Sequence, residues 1–194
     1  GYEEGLYAWL AVREQQDDGD FAIAEMGGAS AQVTFPCPSC QATRQVRVKG
    51  KNLPIASYSF LGWGQDEAWK SYASIPACIN ITDNNNPDWE VSDCTAAISL
   101  SSNVSDEIHV HVSRADELRW YLTGAFRYMK DKDVDRFCRE GIESDFEPER
   151  ACFRATYLEH VLSSLGVPPN SSKSRLDWTL GAVICTATRC LEAR

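Results

Sequence analysis

Residues 20–35 read DFAIAEMGGASAQVTF. Phe21, Ile23 and Glu25 alternate with Ala22, Ala24 and Met26, the period of a strand. Gly27-Gly28-Ala29-Ser30 then turns sharply, and Gln32 to Phe35 alternates again as a returning strand. The stretch is therefore expected to be a β-hairpin whose tip carries two glycines and a hydroxyl, with a carboxylate and an amide beside them. Glycines let a backbone come close to a ligand, and successive N–H groups in such a turn form an anion nest that suits a phosphate. Glu25 is a candidate to hold a metal ion through water, and Ser30 and Gln32 are candidates to orient a water molecule. Taken alone, the same residues also fit a plain tight hairpin in which glycine supplies the turn.

Outward from the hairpin, Glu3 to Arg13 places Leu6 and Leu10 on one face and is expected to be a helix, with Glu4 near its N-terminal end. EQQDDGD, residues 14–20, is a polar loop. Cys37-Pro38-Ser39-Cys40 turns the chain. Strands are expected over Gln45–Val48 and Ile55–Leu61, separated by a turn over Lys49 to Asn52, and a helix over Gln65–Tyr72. Residues 76–103, rich in Asn, Asp, Ser and Pro, are expected to be a loop excursion stapled by Cys78 and Cys94. Ile108, Val110 and Val112 alternate with His109 and His111 as a strand, and Ser113 with Asp116 resembles a capping box. Leu118 to Met129 fits either one helix or a strand followed by a helix. Ala151, Ala155, Leu158, Leu162 and Leu165 form an apolar helical stripe after Pro148, stopped by Gly166. Asp177 is expected to cap a last helix over Trp178–Thr188. Mixed strands and helices after an opening hairpin suit an α/β domain of ribonuclease-H type.

The chain has 194 residues and a formal net charge of -9. That length supports one substantial core, and the charge, with no basic stripe, argues against a nucleic-acid binder. A nucleotide site is compatible with an acidic protein when loop amides and a metal take the phosphate charge. No apolar run reaches transmembrane length and no signal peptide is present, so a membrane anchor is not visible in this chain. Eight cysteines fall in close pairs, Cys37/Cys40, Cys78/Cys94, Cys138/Cys152 and Cys185/Cys190. Sequence leaves connectivity open, and four local bridges are expected. Asn-x-Ser/Thr sequons at Asn80, Asn103 and Asn170 join the cysteines in suggesting a secreted, extracellular or secretory-lumen protein. Zinc at CPSC lacks a second ligand pair, and His109 with His111 fits two solvated histidines on one sheet face. No Walker-type P-loop, nucleophile elbow or triad placement is present.

GGASAQVTF resembles the glycine-hairpin motif of the apyrase family, the ecto-nucleoside triphosphate diphosphohydrolases (GDA1/CD39). EEGLYAW at residues 3–9, YSFLGWGQDEA at 58–68 and WTLGA at 178–182 resemble further motifs of that family in the same order. The resemblance implies a ribonuclease-H-like lobe of the actin/Hsp70 (ASKHA) superfamily, a mixed sheet with flanking helices. It also implies hydrolysis of the terminal phosphate of nucleoside tri- or diphosphates with a divalent cation, Mg²⁺ or Ca²⁺. By motif position, Glu4 matches the base that takes the water's proton, and Ser30 and Gln32 match the residues that hold the water. Gly27, Gly28, Ala29 and Ser30 match the phosphate-binding tip. Glu25 departs from the family's usual Asp, adding one methylene and about 1.3–1.5 Å of reach to an outer-shell metal ligand. Trp178 matches an aromatic near the metal and phosphates, and Phe126 and Tyr128 lie where the family supplies aromatics for the base, with Arg127 between them.

Each assignment has a plainer alternative. Glu3 and Glu4 also read as favourable charge at a helix N-terminus. Trp178, Phe126 and Tyr128 also read as core aromatics. The family carries a second glycine hairpin in an N-terminal lobe, and no copy of it appears in this sequence. Residues 1–194 are therefore expected to be the C-terminal lobe, partnered by an N-terminal lobe of the same protein or a separate chain. The rival function is a non-catalytic nucleotide-binding or interaction module of the same fold. An exopolyphosphatase of the same superfamily is a third reading.

Overall fold

In the computed structural model, the chain is described over residues 1–16, 20–40, 43–79, 90–98, 117–128, 134, 138, 150–168 and 170–191. Helix α1 (Tyr2–Gln15) precedes strands β1 (Phe21–Met26), β2 (Ser30–Pro36), β3 (Thr43–Val48) and β4 (Lys51–Leu61). Helices α2 (Gln65–Tyr72) and α3 (Val91–Ala97), strand β5 (Arg119–Gly124), helix α4 (Ala151–Ser164), strand β6 (Ser172–Lys173) and helix α5 (Trp178–Thr188) follow. The strands form one mixed sheet in the order β3-β4-β2-β1-β5-β6. β1 is antiparallel to β2 and parallel to β5, so the opening hairpin lies at the centre of the sheet.

Every residue of β1 is buried, because the sheet is covered on both faces. Phe21 and Ile23 pack with Leu6, Trp9, Val12, Tyr121 and Cys185 on the α1/α5 side. Ala22, Ala24 and Met26 pack with Phe126, Phe153, Tyr157 and Leu158 on the α2/α4 side. On that second face Phe153 and Tyr157 stack at 5.3 Å, and the Tyr157 hydroxyl donates to the Trp63 carbonyl at 2.9 Å.

Two glycines let α1 lie unusually deep. A Cβ on Gly5 would come within 2.5 Å of Ser57 Oγ and of Thr34 Oγ1 on the sheet below. A Cβ on Gly181 of α5 would come within 1.7 Å of the Tyr7 carbonyl oxygen above. A helix backbone is thus clamped directly between a polar patch of sheet and a second helix.

Several expectations hold and others change. The hairpin, α2 over Gln65–Tyr72 and the Asp177 cap of α5 form as expected. All four local disulfides form. Lys49 and Gly50 alone make the β3–β4 turn, both at positive φ, and pairing resumes at Lys51. Of the two options at Leu118–Met129, the strand is present, followed by a short 3₁₀ turn over Ala125–Tyr128. The stretch expected to be all loop holds a 3₁₀ turn at Pro76–Cys78 and helix α3, tied together by the Cys78–Cys94 bridge. The strand over 108–112, the Ser113 capping box, and Asn80 and Asn103 lie outside the described residues. Asn170 is exposed.

Candidate active site

The hairpin register carries a row of polar side chains across the sheet. Glu25 on β1 pairs with Gln32 on β2 and with Thr123 on β5, and Gln32 pairs with Ser59 on β4. Register partners share a sheet face, and this row lies on the α1 face, one level beyond Thr34 and Ser57. Thr34 and Ser57 hydrogen-bond to each other at 2.7 Å beneath Gly5, and Ser57 Oγ also donates to the Tyr2 carbonyl at 3.1 Å.

The depth of α1 brings Glu4 onto the row. Ser30 Oγ donates to Glu4 Oε2 at 3.4 Å, and the Gln32 amide donates to the same oxygen at 3.3 Å. That amide nitrogen also lies 2.6 Å from Ser30 Oγ and 3.2 Å from Ser59 Oγ. Glu3, one position earlier, turns to the outside and pairs with Arg44 at 3.3 Å. Gln32 is wholly buried, yet its Oε1 has no hydrogen-bond partner. An orphaned buried acceptor costs about 1–3 kcal/mol, so its position marks a place for a missing hydrogen. Thr123 Oγ1 on the far side of Glu25 is buried and unpartnered in the same way.

Glu25 is 4 % exposed. Its carboxyl is pushed up to about 7, chiefly by burial, then by the charge of Glu4 and more weakly that of Asp177. Gly124, at φ 59°, leaves room for it: a Cβ there would sit 2.7 Å from Glu25 Oε1 and 2.3 Å from the Met26 carbonyl oxygen. Among the described residues, no three His, Cys, Asp or Glu side chains gather as a metal-binding group.

The glycine tip is anchored from behind by α2. Gly27 O accepts from the N–H of Gln65, and Gly28 O from those of Asp66 and Glu67, at 2.9–3.1 Å. Gly64 makes this approach possible, since a Cβ there would meet the backbone of Gly28 and Ala29 at 2.4 Å. Gly27 N donates to Ser30 O at 3.0 Å, while the N–H groups of Gly28 and Ala29 meet no backbone partner among the described residues.

The aromatic candidates separate. Phe126 is fully buried in the core on the opposite face, so it presents no ring face to a ligand, which corrects its pairing with Tyr128. Tyr128 is 64 % exposed and carries the Arg127 guanidinium 4.4 Å from its ring centroid. Trp178 is a surface residue at the first position of α5. Asp177 accepts from the N–H of Thr179 and Leu180, and its carboxyl is held low, first by a hydrogen bond from the Thr179 hydroxyl. Arg127, which donates to the Arg175 carbonyl at 3.0 Å, also favours the ionised Asp177. Thr123 and Ser59 escaped the sequence reading, because only strand register places them beside Glu25 and Gln32.

The profile of the GDA1/CD39 (nucleoside phosphatase) family matches residues 1–156. A protein named Golgi apyrase from Schizosaccharomyces pombe is 30% identical over 92 residues, covering 39% of this chain and 16% of that protein. A protein named Probable apyrase 5 from Arabidopsis thaliana is 40% identical over 78 residues, covering 35% of this chain and 16% of that protein. The match thus spans about a sixth of the length of these relatives. A crystal structure titled as an exopolyphosphatase from Cytophaga hutchinsonii superposes with a TM-score of 0.58 at 11% identity, over 98% of this chain and 64% of that one. The shared fold is a mixed α/β sheet with flanking helices.

Proposed function

Because the chain belongs to the GDA1/CD39 (nucleoside phosphatase) family, we propose that it supplies the water-activating side of an enzyme hydrolysing the terminal phosphate of nucleoside tri- and diphosphates. The observation that carries this reading is the hydrogen-bonded cluster of Glu4, Ser30 and Gln32 beside the glycine tip. In-line attack on phosphorus requires a held water, a base within hydrogen-bond reach and donors for the phosphate oxygens. Ser30 and Gln32 hold the water, and Glu4 takes its proton as the oxygen attacks. The N–H groups of Gly28 and Ala29 receive phosphate oxygens, and Gly27 keeps the approach open. Trp178 and Tyr128 offer exposed ring faces at the rim for the nucleoside end.

The family implies a divalent cation, Mg²⁺ or Ca²⁺. A buried carboxylate, with no group of three potential ligands gathered among the described residues, suits a hold through water, since Mg²⁺ keeps several waters and takes few protein ligands when phosphates complete its shell. Glu25 is the residue that would hold it, with the Thr123 hydroxyl as neighbour. A cation held there would neutralise charge on the phosphate oxygens. The protein's residues do the rest: Glu4 accepts a proton and the tip amides orient the phosphate, while a cation beside Glu25 would favour its ionised form against the burial that raises its pKa.

We further read residues 1–194 as one lobe of a two-lobe enzyme, the C-terminal one, closing on the nucleotide against an N-terminal lobe. Four disulfides and a relative named for the Golgi support an oxidising, secretory-pathway setting. Among the described residues, no helix is long and apolar enough to cross a membrane. The test is release of phosphate from ATP and ADP by the full-length protein with Mg²⁺ or Ca²⁺. Release that stops on chelation is expected. Nucleotide binding without any release would move the protein to the rival reading, a binding module of the same fold.

A further inference from the structure

We propose that Ser59 is a positioning residue for the attacking water, acting through the side chain of Gln32. The inference rests on the hydrolase reading above. Gln32 is the one member of the water-holding pair whose two ends differ chemically, so its value depends on which end faces the water. A water molecule that gives one proton to Glu4 has a second hydrogen that needs an acceptor. The acceptor without a partner is Gln32 Oε1, which has no exposed surface and would meet a water only on a local opening of the site. For that atom to be presented, the amide nitrogen must be held on the other side.

Three side chains, those of Glu4, Ser30 and Ser59, hold it there. An ionised carboxylate only accepts, so Glu4 selects the nitrogen and not the oxygen of the amide, at 3.3 Å. Ser59 takes the same nitrogen at 3.2 Å from the neighbouring strand. A hydroxyl both donates and accepts, so Ser59 does not choose the end; it fixes the plane in which the amide lies. Its backbone is pinned in register with Gln32. Glu4 loses its selecting power at the moment it becomes protonated, because a carboxylic acid also donates. Ser30 and Ser59 then together keep the amide from rotating between turnovers. Ser30, 2.6 Å from the same nitrogen, sits on Gln32's own strand and moves with it, whereas Ser59 ties the amide to β4.

The experiment is a double-mutant cycle on the full-length protein, read as kcat and KM for ATP. Ser59→Ala should lower kcat about tenfold with little change in KM, since misplacing a held reactant acts on the chemical step. Ser59→Thr restores the hydroxyl and should recover most of the rate. In a Gln32→Ala background, Ser59→Ala should have no further effect. Thermal melts accompany each variant, and a fall in kcat with an unchanged melt is the expected pattern. A Ser59→Ala enzyme with full kcat overturns the inference while leaving the hydrolase reading intact. So does an equal loss in the Gln32→Ala background, or a loss that Ser59→Thr does not repair. A wild-type protein that releases no phosphate overturns the hydrolase reading, and this inference with it.

Discussion

The side-chain amide of Gln32 donates to the carboxylate of Glu4 across 3.3 Å, although 28 residues separate them. One residue sits at the start of a helix and the other in the middle of a central strand. Their meeting depends on how closely α1 lies on the sheet, which makes the helix start a functional position as well as a structural one.

Glu4→Gln keeps the shape of the side chain and removes its ability to take a proton. It should lower kcat for nucleotide hydrolysis by roughly 10²–10⁴, the usual contribution of a positioned base. Glu3→Gln should stay near the wild-type rate, because Glu3 faces Arg44 and not the row. Steady-state phosphate release by the two variants side by side checks this, and equal behaviour would reduce Glu4 to a helix-end charge.

Gly5→Ala should lift α1. The added methyl falls 2.5 Å from Ser57 Oγ and Thr34 Oγ1, so either the helix or the sheet must move. Overpacking of this kind costs about 1–3 kcal/mol, and the displacement carries Glu4 away from Ser30 and Gln32. A lower melting temperature together with a kcat loss is expected. The second substitution Thr34→Ala makes space and should return part of both. Retention of full activity in Gly5→Ala would show that the helix depth is not what places Glu4.

Gly64→Ala addresses the phosphate end. Its Cβ would press on the backbone of Gly28 and Ala29 at 2.4 Å, where no flexible side chain can give way. The tip should shift and its amides lose their aim, raising KM for ATP by about tenfold or more. Titration of a non-hydrolysable nucleotide against wild type and variant measures the same effect without catalysis.

Glu25 makes stability depend on pH. Its carboxyl titrates near 7 in the fold against an ordinary 4.5, mainly because it is buried. Between those values the native state binds more protons than the unfolded chain, so stability falls as pH rises. The contribution, about 3 kcal/mol for a shift of this size, is fully present below the lower value and lost above the upper one. In chelator, urea midpoints of the wild type should drop across this window while those of Glu25→Gln change less. Saturating Mg²⁺ or Ca²⁺ should flatten the wild-type curve. Parallel curves for wild type and variant would contradict the assignment.

Local chemistry was legible where neighbours in sequence decide it. The Gly27-Gly28 turn, the Asp177 cap and the α2 boundaries follow from residues within a few positions of each other. Ser59 and Thr123 were not, because their place in the row depends on register between strands far apart in the chain. Phe126 and Tyr128 are two apart, and a 3₁₀ turn sends one into the core and the other to the surface. Helix α3 reads as loop because its polar Ser92, Asp93 and Thr95 outweigh Cys94, buried within it, and Ile98, buried just beyond its end.

A trans peptide points its N–H opposite to its C=O. The carbonyls of Gly27 and Gly28 are turned toward α2, so the N–H groups of Gly28 and Ala29, which belong to the same two peptide units, are turned away from it. Helix α2 therefore sets the direction in which the tip's dipoles aim. Hydrogen bonding at one end of a peptide also polarises the other. An anion at the tip would feel the amide dipoles of α2 through two peptide units, offset by the carboxylates of Asp66 and Glu67 in its first turn. Affinity for phosphate would then be tuned from α2, by residues with no contact to the ligand.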